Sequence, residues 1–192
     1  YPALEVIPAT QSLANAEVEL VPLVARELRL KRALTTYLTE SAARGERFDY
    51  VIIDCPPSLG LLTINALVAA DELLIPIQCE YYSLEGLTLL LHTVSLIQEH
   101  LNQNLKLTTI VLTMYDSRTR LANDVADEIR KHYPKELIDI PIPRAVRVSE
   151  APSYGQTVMT YDPGSNGADA YARVAREIAH RGAPTITSAE VV

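Results

Sequence analysis

Short runs rich in Val, Ile, Leu and Thr alternate along this chain with longer stretches in which apolar residues recur at helical spacing. The runs predict strands at Leu4 to Ile7, ended by Pro8, at Phe48 to Asp54, at Glu72 to Ile77, at Leu107 to Met114, and as a stub at Leu137 to Ile142. Val51 to Ile53 is continuously apolar, as in a parallel strand buried on both faces. Helical spacing predicts a long helix over residues 20–44, with Leu23, Leu28, Leu30, Leu34 and Leu38 in step, Pro22 in the first turn and Gly45 as the stop. Further helices are expected over Leu61 to Ala70, Leu84 to Leu101, Thr119 to Tyr133 and Gly167 to His180. The third of these presents Leu121, Val125 and Ile129 on one face. Pro143 to Asn166 reads as a loop, and the tail from Arg181 reads as frayed.

Strands and helices in alternation predict an α/β fold, a mostly parallel sheet flanked by helices. The expected organisation is one domain over residues 1–182 with a flexible tail over 183–192. In such sheets ligands bind at the carboxyl ends of the strands. Polar segments fall there at Asp54-Cys55-Pro56-Pro57-Ser58, Gln78-Cys79-Glu80, Tyr115-Asp116-Ser117-Arg118 and Pro143-Arg144.

Composition narrows the function classes. The chain has 192 residues, 48% hydrophobic and 21% charged, which suits a core-forming domain rather than a disordered one. The net charge of −7 excludes the uniformly basic type of nucleic-acid binder but not a local basic patch. Charge is also uneven: residues 50–116 hold one basic residue, Lys106, against seven acidic ones, so arginines able to face a polyanion lie in the flanks. Two cysteines outside any CxxC pair argue against a disulfide framework or a cysteine-rich zinc site. His92, His100, His132 and His180 make no metal-ligand spacing, and a GxSxG elbow is absent. No stretch of 18 apolar residues occurs, and a cytoplasmic location is expected.

Asp54 is the strongest single signal. A carboxylate ending an apolar strand before a Pro-Pro turn can hold Mg²⁺, or a magnesium-bound water, beside a nucleotide's phosphates; it can equally cap the next helix. Ser58 and Gly60 fit either an approach to a γ-phosphate or plain turn chemistry. Arg118, Arg120, Arg144 and Arg147 are candidate phosphate contacts. Arg118 and Arg120 open a helix, where cations oppose its dipole, yet Asp116, Asp124 and Asp127 are near enough to pair with them. Tyr81 and Tyr82 suit packing as well as ligand contact, and Cys55 suits a small buried residue better than a nucleophile.

The run YVIIDCPPSLGLLTINALVAADELLIPIQCEYYSLEGL at residues 50–87 resembles the central region of the ParA/Soj family, deviant-Walker ATPases that partition chromosomes and plasmids. LTMYDSRTRLANDVADEIRKHY at 112–133, IPRAVRVSEAPSYGQTVMTYDPGSNGADAY at 142–171 and IPATQSLANAEVEL at 7–20 continue the resemblance in order. It implies a P-loop NTPase-like fold using ATP and Mg²⁺, a nucleotide-driven homodimer, non-specific binding to double-stranded DNA, a partner of the ParB type, and association with the nucleoid. It implies Asp54 as the catalytic-site acid acting on the metal through water. Pro56, Pro57 and Ser58 would be nucleotide-binding residues of switch II, and Met114, Asp116, Pro143 and Arg144 would lie about the adenine. DNA contacts would come from Arg118, Arg120, Arg144 and Arg147.

The family also carries a P-loop of the form KGGxGKT[ST] and a DxDPQ-like switch I. Neither pattern occurs here: no two of the seven glycines are adjacent, and none precedes Lys-Thr. The resemblance therefore implies a natural protein longer by roughly 70–110 upstream residues, and an ATPase whose isolated 192 residues show no ATP turnover. A non-enzymatic interaction or oligomerisation module is the alternative. A MinD-type division ATPase fits less well, because Ala183 to Val192 lacks the basic amphipathic helix that holds such proteins to membranes.

Overall fold

A computed structural model describes residues 4–182. Within it the chain forms two compact units: residues up to Glu72 with 89–106, and residues 73–88 with those from Leu107 onward.

The first unit is helical. It contains α1 (Gln11–Leu20), α2 (Arg29–Ala43), α3 (Leu61–Ala69) and the larger part of α4 (Ser83–His100). The single helix expected over 20–44 is two elements. The chain turns at Val21 to Ala25, passes through a short 3-10 turn at Arg26–Leu28, and only then enters α2. Ala25 is left-handed at φ +53°, and Pro22 falls in the turn rather than in a first helical turn. Gly45, at φ +84°, does end α2, taking up the left-handed conformation that glycine adopts without strain.

Two buried asparagines stitch this unit. Asn65 on α3 accepts from the Leu30 N–H at 3.1 Å and donates to the carbonyls of Arg26 at 3.0 Å and Leu61 at 2.9 Å, fixing α3 against the start of α2. Asn102 donates to the carbonyls of Leu67 at 3.0 Å and Ala70 at 2.7 Å, tying the end of α3 to the turn after α4.

The strands expected at 4–8 and 48–54 do not form. Both segments are without regular structure, and Leu4, Val6, Ile7, Val51 and Ile52 are exposed. A strand exists only through hydrogen bonds to a neighbour, and no described residue runs alongside either segment in a ladder.

The second unit holds the sheet. Its strands are β1 (Glu72–Gln78), β2 (Lys106–Thr113) and β3 (Leu137–Ile138), in the order β1-β2-β3, with β2 and β3 parallel in the register Ile110 to Leu137 and Val111 to Ile138. Pro76, which has no N–H to give, lies on an edge strand of this sheet. The stub expected at 137–142 is shorter as a strand, but its pairing resumes at a parallel bridge between Tyr115 and Pro143. Beside the sheet run α5 (Arg120–His132) and α8 (Asn166–Gly182). Thr119 caps α5 through its hydroxyl, which accepts from the Ala122 N–H at 3.3 Å. The buried face of α5 is Ala122, Val125, Ala126 and Ile129; Leu121, expected on it, is 40% exposed. Val111, Ile138 and Ile142 pack with Ala170 and Val174 of α8.

The segment read as a loop contains α6 (Val146–Glu150), a 3-10 turn at Ala151–Tyr154 and α7 (Val158–Tyr161). Gly167 lets α6 and α8 meet, since a Cβ there would come within 2.7 Å of Val148 Cγ2. Arg181, expected in a frayed tail, belongs to α8 and is anchored. Its guanidinium donates to the carbonyls of Lys135, Glu136 and Leu137 at 3.0–3.3 Å, while Nε donates to Glu177 at 2.9 Å. Arg181→Met is expected to lower stability by about 1–2 kcal/mol in urea denaturation, because three carbonyls lose a charged donor. The expected tail over 183–192 lies outside the described residues.

Candidate functional site

In the second unit, the segments after the carboxyl ends of β2 and β3 are brought together by backbone bonding. The Tyr115 N–H donates to Ile142 at 3.0 Å, and the Arg144 N–H donates to Tyr115 at 2.9 Å. Met114 and Asp116 therefore stand opposite Pro143 and Arg144, as a shared ligand site requires. Met114 has φ +53°, a left-handed conformation that costs a residue with a Cβ and is found more often at functional sites than elsewhere. Tyr115 is held by its hydroxyl, which donates to Asn123 Oδ1 at 2.6 Å.

Asp116 organises the turn into α5. Its carboxylate accepts the Arg118 N–H at 3.1 Å, and its carbonyl accepts the Thr119 N–H at 3.0 Å. The same carboxylate takes a two-toothed bond from the Arg118 guanidinium, Nε to Oδ1 at 2.9 Å and Nη2 to Oδ2 at 2.7 Å. That hydrogen bonding, with a further contribution from the charge of Arg144, holds Asp116 down at about 2, so the fork persists across the physiological pH range. Arg144 lies 3.9 Å from Glu80, just beyond β1.

The four arginines differ in their surroundings. Arg120 is exposed, with only Asp124 one turn on at 3.6 Å. Arg118 and Arg144 are each matched by one carboxylate. Arg147 is exposed but has several partners: Glu150 lies at 3.2 Å, Asp162 at 3.7 Å, and its guanidinium carbon 5.8 Å from the ring centre of Tyr161, which itself stacks on Tyr154 at 5.1 Å. Arg147→Ala is thus expected to lower the melting temperature only slightly while leaving the salt slope of any DNA binding unchanged within about 0.3. Glu80, Glu150, Asp162, Tyr154 and Tyr161 carry no signal in the sequence as neighbours of Arg144 and Arg147, whereas Asp116 and Asp124 stand close enough in sequence to Arg118 and Arg120 to mark those pairs.

In the first unit, Asp54, Pro56, Pro57 and Ser58 lie exposed before α3. Asp54 makes no side-chain hydrogen bond or ion pair among the described residues, so it does not cap α3. The Thr63 hydroxyl donates to the Ser58 carbonyl at 2.6 Å and Gly60 occupies the capping position. The carboxylate of Glu17 packs on Gly60, and its buried Oε1 has no hydrogen-bond partner among the described residues. Cys55 is exposed rather than buried as expected, although partial desolvation, aided by Asp54, pushes its thiol up. A solvent-facing carboxylate fits a metal ion held through water. No residues that cradle phosphates accompany it, since the chain has no glycine-rich segment leading to Lys-Thr. No cluster of metal-ligating side chains and no membrane-length apolar helix occurs among the described residues.

The sheet of the second unit gathers polar residues beyond its strand ends, where ligands bind in α/β folds, and a family profile described as an AAA domain matches residues 1–107. Sporulation initiation inhibitor protein Soj of Bacillus subtilis (strain 168) is 54% identical over 179 residues, covering 93% of this chain and 68% of its own length. Chromosome partitioning protein ParA of Myxococcus xanthus (strain DK1622) is 49% identical over 181 residues, covering 94% and 62% respectively. Among solved structures, a Mycobacterium smegmatis protein described as cobyrinic acid a,c-diamide synthase, with bound ATP analog and magnesium, is 37% identical. It superposes with a TM-score of 0.73, covering 94% of this chain and 66% of its own. The chain belongs to the Soj/ParA family of chromosome-partitioning proteins. It spans about two thirds of the length of the relatives it matches.

Proposed function

We propose that the protein carrying this chain is an ATP-dependent partition switch that dimerises with nucleotide, binds double-stranded DNA without sequence preference, and answers to a partner of the ParB type on the nucleoid. The observation that carries this reading is the meeting of Met114, Asp116, Pro143 and Arg144 at paired strand ends, with Arg118 in the turn that leads into the adjoining helix and Arg120 as the first residue of that helix. In this reading the adenine lies against Met114, Asp116, Pro143 and Arg144. Asp54 holds Mg²⁺ through water, and Pro56 to Ser58 report on the terminal phosphate. Mg²⁺ supplies charge screening for the phosphates when bound. The phosphate cradle comes from sequence outside these 192 residues.

The isolated chain is accordingly expected to bind ATP weakly and to show no turnover above background in a phosphate-release assay. Turnover by a pure preparation that is lost in Asp54→Ala would overturn the division of labour proposed here. Exposed Val6, Ile7, Val51 and Ile52 favour self-association as a second reading for the isolated chain. Light scattering without nucleotide tests it: a monomer at micromolar concentration removes that reading.

A further inference from the structure

We propose that Asp116 is an internal competitor of DNA phosphate, setting how much of Arg118 is available to the duplex. This rests on the DNA-binding reading above. The argument begins with a mismatch in exposure: the Arg118 side chain is 87% exposed, yet its guanidinium is docked edge-on to a carboxylate that is only 21% exposed. A fork on Nε and Nη2 is the geometry a phosphate would use, so the carboxylate occupies the edge of Arg118 best suited to phosphate. A carboxylate on a guanidinium also cancels the charge that draws counterion-releasing contacts.

Asp116 is built to stay in place while the arginine is built to leave. The carboxylate is further fixed by the Arg118 N–H, and its peptide carbonyl by the Thr119 N–H, whereas the Arg118 side chain bonds no other group among the described residues. Exposed pairs of this kind contribute little to stability, so a phosphate can replace the carboxylate at small cost. Arg144 reaches Asp116 electrostatically from the paired strand end and has its own carboxylate, Glu80, at 3.9 Å. The edge is therefore a set of charged arginines each paired with a carboxylate, so that each pair carries little net charge, which suits a surface that must release DNA as well as bind it. Asp116 also stands in the segment that the functional reading places beside the adenine, two residues after the left-handed Met114. Asp116 is thus a positioning residue through which a change at the base side reaches Arg118.

The test is duplex affinity across a salt series, using the full chain at its natural length with ATP and Mg²⁺ and a 24-base-pair duplex of arbitrary sequence as probe. Asp116→Asn keeps the acceptor for the Arg118 N–H and so preserves the turn; a thermal melt checks this. It is expected to bind on the order of threefold more tightly than wild type, with a slope of log affinity against log salt steeper by a part of the roughly 0.9 that one full phosphate contact gives. Adding Arg118→Ala to Asp116→Asn should abolish both gains. Arg118→Lys, which keeps charge without the fork, should bind at least as tightly as wild type. Equal or weaker binding by Asp116→Asn with an unchanged slope overturns the proposal while leaving the DNA-binding reading intact. Absence of duplex binding by wild type and both single variants overturns the two together.

Discussion

Removing Arg118 and Arg144 together is expected to weaken non-specific duplex binding about tenfold or more near physiological salt and to flatten the salt slope, by less than the roughly 1.8 that two fully engaged phosphate contacts would give, because Asp116 competes for Arg118. The paired strand ends bring these two arginines to one edge of the second unit, and α5 extends that edge with Arg120. Each has a single carboxylate neighbour, so each can exchange it for phosphate. Because that exchange has a cost, the loss per arginine is smaller than for an unpaired cation. The double variant should therefore be read through its slope as well as its affinity. Arg147→Ala serves as the control, since that side chain is already engaged by two carboxylates, Glu150 and Asp162, and by the Tyr161 ring. An unchanged slope in the double variant, with a normal melting profile, would remove both residues from the interface.

Asn65→Ala is expected to cost about 2–4 kcal/mol in urea denaturation, the largest single effect on the first unit. The side chain is 3% exposed and makes three hydrogen bonds, two as donor and one as acceptor. Alanine leaves the Leu30 N–H and the Arg26 and Leu61 carbonyls to find other partners in a closed site. Asn65→Asp separates the two halves of the role. It retains the acceptor for Leu30 but turns an oxygen toward two carbonyls, so it should destabilise near neutrality and recover part of the loss in acid, where the protonated carboxyl regains a donor. A loss below about 0.5 kcal/mol for Asn65→Ala would show that the helices are fixed by apolar packing alone.

The elements legible in the sequence were those whose signals are local. β2 is marked by its dense Thr, Ile and Val, and α5 by the apolar stripe that Val125 and Ile129 share. Phe48 to Asp54 was misread because its apolar run describes a strand only when a neighbouring strand is present, which no local pattern encodes. The short helices after Pro143 are four or five residues long, too short to show a period. At the site, the Asp116–Arg118 and Arg120–Asp124 pairs were visible in spacing, whereas Asp127 turns instead to Arg130. The contacts of Arg147 with Tyr161 and Asp162 depend on how α6 and α7 fold back, and separations of 14 and 15 residues carry no local signal of them.

The central claim is that this chain serves a nucleotide-controlled DNA-binding switch. The most direct measurement is duplex binding by the protein at its natural length, with ATP–Mg²⁺, with ADP–Mg²⁺ and without nucleotide, over a range of salt. The account predicts sequence-independent binding that strengthens with ATP and falls steeply with salt. Binding that ignores nucleotide, or no binding at low salt with ATP present, would contradict it.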